Sequence, residues 1–259
     1  MCARFCMTRL HSIITALDEL LEPAAFDDLG PNGLQVPGPQ DVQRVVTGVS
    51  AQKALVERAV AEQAQLVLVH HGLFWDFLPA GLTPTLAERL RPLFKHDIAL
   101  AAYHLPLDGH PELGNNAILA ERLGCERHEP FRAYRGTPIG RAGTFPGDGI
   151  PAADLFTRVR ELTDREPTVF AGGPDRVRRI GIVSGSAADA LTEAIELGLD
   201  AFLTGEPREH VMADALEGGI HFIAAGHYAT ETFGIRALGD WLAHRFEIEH
   251  VWIDIPNPV

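Results

Sequence analysis

Residues 101–108 read A-A-Y-H-L-P-L-D and residues 224–231 read A-A-G-H-Y-A-T-E, and the two stretches align without a gap. His104 falls against His227, and Asp108 against Glu231. Each stretch is followed by a Gly-x-x-Ala helix start. Working outward, V-V-T-G-V-S at 45–50 and the following A-L-V-E match R-I-G-I-V-S at 179–184 and A-L-T-E, which places Ser50 against Ser184 and Leu55 against Leu191. The apolar run 66–69 then aligns with 202–205. Units of βαβ type also resemble one another by composition alone, but gapless agreement at this scale is the signature of an internal repeat. It predicts two related α/β lobes.

Between these anchors the periodicity supports the same reading. Residues 10–21 have helical spacing of apolar positions, and 27–38 (D-D-L-G-P-N-G-L-Q-V-P-G) form a turn-rich loop. Short apolar runs at 45–49, 66–69 and 98–103 alternate with amphipathic stretches at 51–64 and 86–96. Strands and helices alternating at this length predict mostly parallel sheets covered on both faces. The expected organisation is an N-terminal lobe over 1–124, a connecting segment over 125–177 packed on the core, and a C-terminal lobe over 178–259.

Composition narrows the function classes. The chain has 259 residues, 46% hydrophobic and 22% charged, an ordinary globular balance that excludes disordered and fibrous readings. Its 22 Lys+Arg against 35 Asp+Glu give a net charge of −13, which makes nucleic acid an unlikely partner. Cys2, Cys6 and Cys125 lack a disulfide or metal spacing, and Cys2 and Cys6 read as incidental. No apolar run approaches the ~18 residues of a membrane span, so a cytoplasmic location is expected.

Chemistry concentrates where apolar strands stop. The run 66–69 ends in His70-His71, 98–103 ends in His104 with Asp108 four residues on, and 222–225 is followed by His227 and Glu231. Ligands in α/β sheets bind beyond the carboxyl ends of strands. Two imidazoles after one strand plus two carboxylates in repeated motifs suit two divalent ions rather than one, with a carboxylate screening their repulsion. The i, i+4 spacing of His227 and Glu231 puts both on one helix face if the helix starts near Tyr228, which makes Glu231 the bridging candidate. His104 is read as a neighbour of the ligands or as the catalytic proton-transfer residue. The net positive charge of such a centre would draw an anionic small molecule.

Other residues carry weaker signals. Glu206 ends the repeat's copy of the His70 strand and should lie near the site. His110 reads as a loop residue and Trp75 as a pocket wall or core aromatic. His128-Glu129 and Glu209-His210 complete no His-Glu-x-x-His motif, and neither a phosphate loop nor a dinucleotide fingerprint is present.

The motifs P-N-G-L-Q-V, V-H-H-G-L-F-W, Y-H-L-P-L-D-G-H-P-E-L-G-N-N, D-A-F-L-T-G-E, A-A-G-H-Y-A-T-E and I-D-I-P-N-P occur in that order over nearly the whole chain. In these the sequence resembles the GTP cyclohydrolase 1 type 2 family, the NIF-three-like dinuclear metal proteins, and especially its short bacterial YbgI-type members. The resemblance implies that His70, His71, Asp108, His227 and Glu231 are the metal ligands, with Glu231 bridging. It also implies two related lobes around a dimetal cleft, a homohexameric ring, and opening of the GTP imidazole ring by metal-activated water with release of formate. The ligand set admits Zn, Fe, Mn, Ni or Co. Another metal-dependent hydrolysis, of phosphoesters or amides, and a non-catalytic metal-binding or interaction role are the alternatives.

Overall fold

The computed structural model describes residues 7–259; Cys2 and Cys6 lie outside them. Along the chain, helix α1 (Leu10–Leu21) precedes strands β1 (Gly33–Val36) and β2 (Arg44–Ser50). Helix α2 (Lys53–Ala61), strand β3 (Leu66–His71), helix α3 (Pro84–Lys95) and strand β4 (Ala99–Ala102) follow. After the short α4 (Leu105–Gly109) and α5 (Asn115–Leu123) come β5 (Arg127–Tyr134), β6 (Thr137–Thr144), α6 (Ala152–Thr163) and β7 (Thr168–Ala171). The remainder is β8 (Arg179–Ile182), α7 (Leu191–Glu196), β9 (Ala201–Thr204), α8 (Val211–Gly218), β10 (His221–Ala224), α9 (His227–Thr230), α10 (Thr232–Phe246) and β11 (Glu249–Trp252).

Two compact units result, one of residues 1–107 with 234–255 and the other of 108–233 with 256–259. The first holds a five-stranded sheet in the order β11-β2-β3-β4-β1. Its neighbours pair in parallel except β1, which runs antiparallel to β4 along the edge. The second unit holds a six-stranded sheet in the order β7-β10-β9-β8-β6-β5, with a parallel centre β10-β9-β8 flanked by antiparallel strands. Each unit thus contains a β-α-β-α-β run, β2 to β4 in one and β8 to β10 in the other.

The local chemistry explains these elements. Leu10, Ile13, Leu17 and Leu21 bury one face of α1, which ends at Glu22 in the left-handed region (φ 47°) with Pro23 behind it. Thr83 caps α3 by accepting the Leu86 amide at 3.2 Å, and Pro84 supplies the first helical position. The turn-rich segment 27–38 contains a strand that its Gly and Pro content concealed: Gly33 takes φ +94° and starts β1 directly after the turn. Residues 125–177 hold β5, β6, α6 and β7, so this segment supplies half the strands of the second sheet.

Leu66, Val67, Leu68 and Val69 are all buried, as expected of a central parallel strand covered on both faces. Val67 and Val69 belong to a core that includes Val46, Leu55, Val56, Leu93 and Leu100. Leu55 lies so close to β2 that a Cβ at Gly48 would stand 2.6 Å from its Cδ1. Leu55→Ala is therefore expected to cost about 2–5 kcal/mol, because the rigid sheet beside it cannot collapse into the space. Urea denaturation measures this, and a loss below about 1 kcal/mol would show that the core repacks.

Candidate metal centre

In the first unit β3 runs on through both histidines rather than stopping before them, and pairs His71 with Ser50 of β2. The His70 and His71 rings nevertheless lie 4.7 Å apart, and His104, just after β4, stands 5.0 Å from His70 and 5.5 Å from His71. One ligand-type nitrogen from each falls within 4.8 Å of the others. Acceptor-only partners fix the tautomers. His70 Nδ1 is 3.1 Å from the Tyr103 carbonyl oxygen, and His104 Nδ1 is 2.7 Å from Asp28 Oδ1. Each Nδ1 therefore carries its proton, and the lone pair sits on Nε2, the form a metal or a proton acceptor requires. His71 Nδ1 shares a 3.1 Å hydrogen bond with the adaptable Ser50 hydroxyl.

Asp28 is the least expected member of this group. Its Oδ1 also accepts the Leu29 amide, and its Oδ2 accepts Asn32 Nδ2 at 2.9 Å and the Leu105 amide at 3.0 Å. Asn32 Oδ1 in turn accepts the His104 amide. Burial alone would raise the Asp28 carboxyl, but the His104 hydrogen bond and charge, then Asn32 and Leu29, bring it down to about 2. Trp75 stands edge-on to His104 at 5.1 Å and stacks on the exposed Phe77, so it walls this group.

The second unit carries the carboxylates. Asp108, on α4, is buried and accepts hydrogen bonds from Asn115 Nδ2 at 2.8 Å and Ser184 Oγ at 3.1 Å. The Ser184 amide donates to Asn116 Oδ1, so that loop is tied to α5. Helix α9 begins at His227 and Glu231 is its C-cap; the spacing leaves His227 Nε2 3.2 Å from Glu231 Oε2. His227 Nδ1 bonds Glu206 Oε1. Burial opposes a charge on His227, but hydrogen bonds and charges of Glu231 and then Glu206 push it up to about 9.

Gly185 makes room for this pair. It has φ +68°, and a Cβ there would lie 2.3 Å from Glu231 Oε1 and 3.2 Å from His227 Nε2. Gly185→Ala is expected to displace the carboxylate and weaken metal binding at least about tenfold, the usual cost of misorienting a ligand. Calorimetric metal titration checks this, and unchanged affinity would mean that Glu231 moves aside without consequence.

The five residues expected as ligands thus fall into a set of imidazoles, His70 and His71, and a set with carboxylates, Asp108, His227 and Glu231. Glu206 takes the place expected of it, beside His227. His110 is a loop residue whose Nδ1 accepts the Glu112 and Leu113 amides. His210 pairs with Asp214 at the surface. Asp28, Asn32, Asn115, Asn116 and Gly185 were not singled out from sequence. Asn32, Asn115 and Asn116 lie inside motifs quoted above, yet nothing in their spacing announces a supporting role.

A family model described as Duf34/NIF3 (NGG1p interacting factor 3) matches residues 8–258. The chain belongs to the DUF34/NIF3 family. Among its relatives, a Pseudomonas aeruginosa protein named GTP cyclohydrolase 1 type 2 homolog is 45% identical over 250 residues, spanning 96% of this chain and 98% of that protein. An Escherichia coli K12 protein of the same name is 42% identical, over 97% of this chain and 98% of its own length. A solved structure described as protein ybgI of unknown function superposes with a TM-score of 0.91 at 39% identity, covering 97% of this chain and 100% of that one. A crystal structure from Thermus thermophilus gives a TM-score of 0.89 at 37% identity over 97% of this chain and 100% of its own. These matches establish the mixed α/β NIF3 fold with mostly parallel sheets. Among the described residues no helix is long and apolar enough to cross a membrane.

Proposed function

We propose that this DUF34/NIF3 protein is a cytoplasmic, dinuclear metal-dependent hydrolase of the GTP cyclohydrolase 1 type 2 kind. The observation that carries the reading is the tautomer control of its imidazoles. His70 and His104 have Nδ1 tied to acceptors, so both present Nε2 lone pairs, and His227 rests between two carboxylates that favour a cation. Imidazole nitrogens with carboxylate oxygens are a donor set for a first-row divalent ion. In this proposal His70, His71, Asp108, His227 and Glu231 would hold two divalent ions, and Glu231 would supply the charge that screens one from the other. Ions bound there supply Lewis-acid polarisation and lower the pKa of water, which is what hydrolysis at neutral pH demands.

The chain's own residues supply the rest. Glu206 fixes the His227 ring, and Ser184 and Asn115 orient Asp108. His104 would take at Nε2 the proton released by the attacking water, Asp28 would stabilise the imidazolium so formed, and the same proton would be delivered to the leaving nitrogen. Trp75 limits water access beside His104. The names of the relatives support GTP as the anionic substrate, and formate as a product follows from the family resemblance. Assembly as a homohexamer belongs to the same proposal.

The test is a metal-reconstituted assay across nucleotides with mass-spectrometric product detection, run alongside elemental analysis. Metal-dependent formate release from GTP and two ions per chain are expected. A reproducible single ion removes the dinuclear assignment. Turnover of phosphoester or amide panels without GTP turnover moves the reaction class, and tight metal binding with no turnover removes the enzyme.

A further inference from the structure

Arg141 lies in the middle of β6 and is only 5% exposed. Its Nη2 donates to the Gly109 carbonyl, while its buried Nε has no hydrogen-bond partner. Among the described residues no carboxylate stands within ion-pair distance of it, although the chain carries 35 acidic residues. Arg44 meets Glu249, Arg132 meets Asp189 and Glu193, and Arg179 meets Glu129, whereas Arg158, Arg165 and Arg176 bond only carbonyls but are not buried as Arg141 is. Burial alone lowers the Arg141 guanidinium, with no opposing contribution from an acid. A buried, uncompensated cation is costly, and proteins retain one where a ligand supplies the missing anion.

Its surroundings are donors too. His110 Nδ1 accepts two backbone amides, at 3.2 Å from Glu112 and 2.9 Å from Leu113, so its ring proton lies on Nε2 and makes that nitrogen a donor. The Gly109 carbonyl that Arg141 holds belongs to the residue directly before His110, which brings the guanidinium to the His110 segment. His110 is half-buried and His128 exposed, so the cluster reaches solvent through imidazoles. A fixed guanidinium fork beside an N–H donor recognises a compact oxyanion.

We propose that Arg141, with His110, is a receptor for the phosphate group of the substrate, placed beside Asp108 by the Arg141 bond to the neighbouring Gly109 carbonyl. The inference rests on the reading of Asp108 as part of the reaction centre. Asp108 is followed directly by Gly109 and His110, so one segment carries both a candidate metal ligand and an anion donor. The rival role, a staple for the Gly109 carbonyl alone, makes no use of the unmatched Nε or the charge.

The experiment uses full-length protein stripped of metal, with inorganic phosphate as probe and chloride at matched ionic strength as control. Calorimetry should show saturable uptake of one phosphate per chain, and phosphate should raise Tm where chloride does not. Arg141→Gln should weaken phosphate binding at least about tenfold, with Arg141→Lys retaining part of it because the charge survives without the fork. Metal content of Arg141→Gln should stay at the wild-type value, which keeps this test apart from that of the metal centre. Absence of saturable uptake by the wild-type protein up to about 10 mM phosphate overturns the proposal whatever the variants do. Equal phosphate affinity in wild type and Arg141→Gln overturns it as well. Joint loss of phosphate and metal in both variants would make Arg141 a support for the Asp108 segment and likewise overturn the receptor role.

Discussion

Glu231→Gln is expected to remove metal and hydrolysis together. Glu231 is 2% exposed, and its Oε2 faces His227 Nε2 at 3.2 Å. An amide keeps the shape but loses the negative charge that offsets a bound cation, and it bridges ions poorly. The fall in metal affinity should exceed the roughly 10–100-fold typical of residues that only orient a ligand. Glu206→Gln should fall within that range, since Glu206 acts through His227 Nδ1. The protonation of His227 gives a second readout. With His227 pushed up to about 9 in the metal-free protein, metal uptake at neutral pH must expel that proton, so affinity declines as pH falls below about 9. Glu231→Gln removes the stronger of the two carboxylate contributions and should shrink the proton release measured on metal loading. Elemental analysis with calorimetry in two buffers of different ionisation enthalpy measures both effects. Full metal retention in Glu231→Gln would sink the bridging assignment.

Sequence pattern alone set Ser50 against Ser184, and in the structure Ser50 bonds His71 while Ser184 bonds Asp108. Each hydroxyl thus lies beside a candidate ligand. The helical spacing of His227 and Glu231 was legible for the same reason: four residues span one turn wherever the helix begins. Asp28 was illegible because it reaches His104 across 76 positions, from a segment rich in turn residues. Local periodicity carries no information about which distant loop a side chain will meet. Strand β1 was missed on related grounds. It is an edge strand of Gly33–Val36 with Pro31 and Pro37 around it, and its pairing with β4 is a long-range event that propensity does not encode. Gly185 is legible only once Glu231 has a position, since its value is the volume that it leaves empty.

His104→Ala and Asp28→Asn should separate proton transfer from metal binding. If His104 moves protons, His104→Ala keeps both ions and lowers turnover by about 100-fold or more. Its nitrogen lies close enough to those of His70 and His71 to serve as a ligand, so loss of one ion from His104→Ala would enlarge the ligand set. Asp28→Asn leaves the imidazole in place but replaces an acceptor-only carboxylate by an amide that can also donate, so the His104 tautomer is no longer dictated. Turnover should fall with metal content unchanged, and the pH profile should change shape, which a merely structural role would not produce. Stability should change as well. The Asp28 carboxyl is held at about 2 in the folded protein, below the ~3.9 of an unfolded chain. Its contribution is therefore present above about pH 4, amounts to about 2 kcal/mol at neutral pH, and is lost as pH falls through about 2. Asp28→Asn should forfeit it at pH 7 and flatten the acid limb of a stability-against-pH curve. Urea denaturation from pH 7 to pH 3 provides the measurement. A variant as stable as wild type at pH 7, with an unaltered acid limb, would remove the Asp28–His104 pair from both the energetics and the proton path.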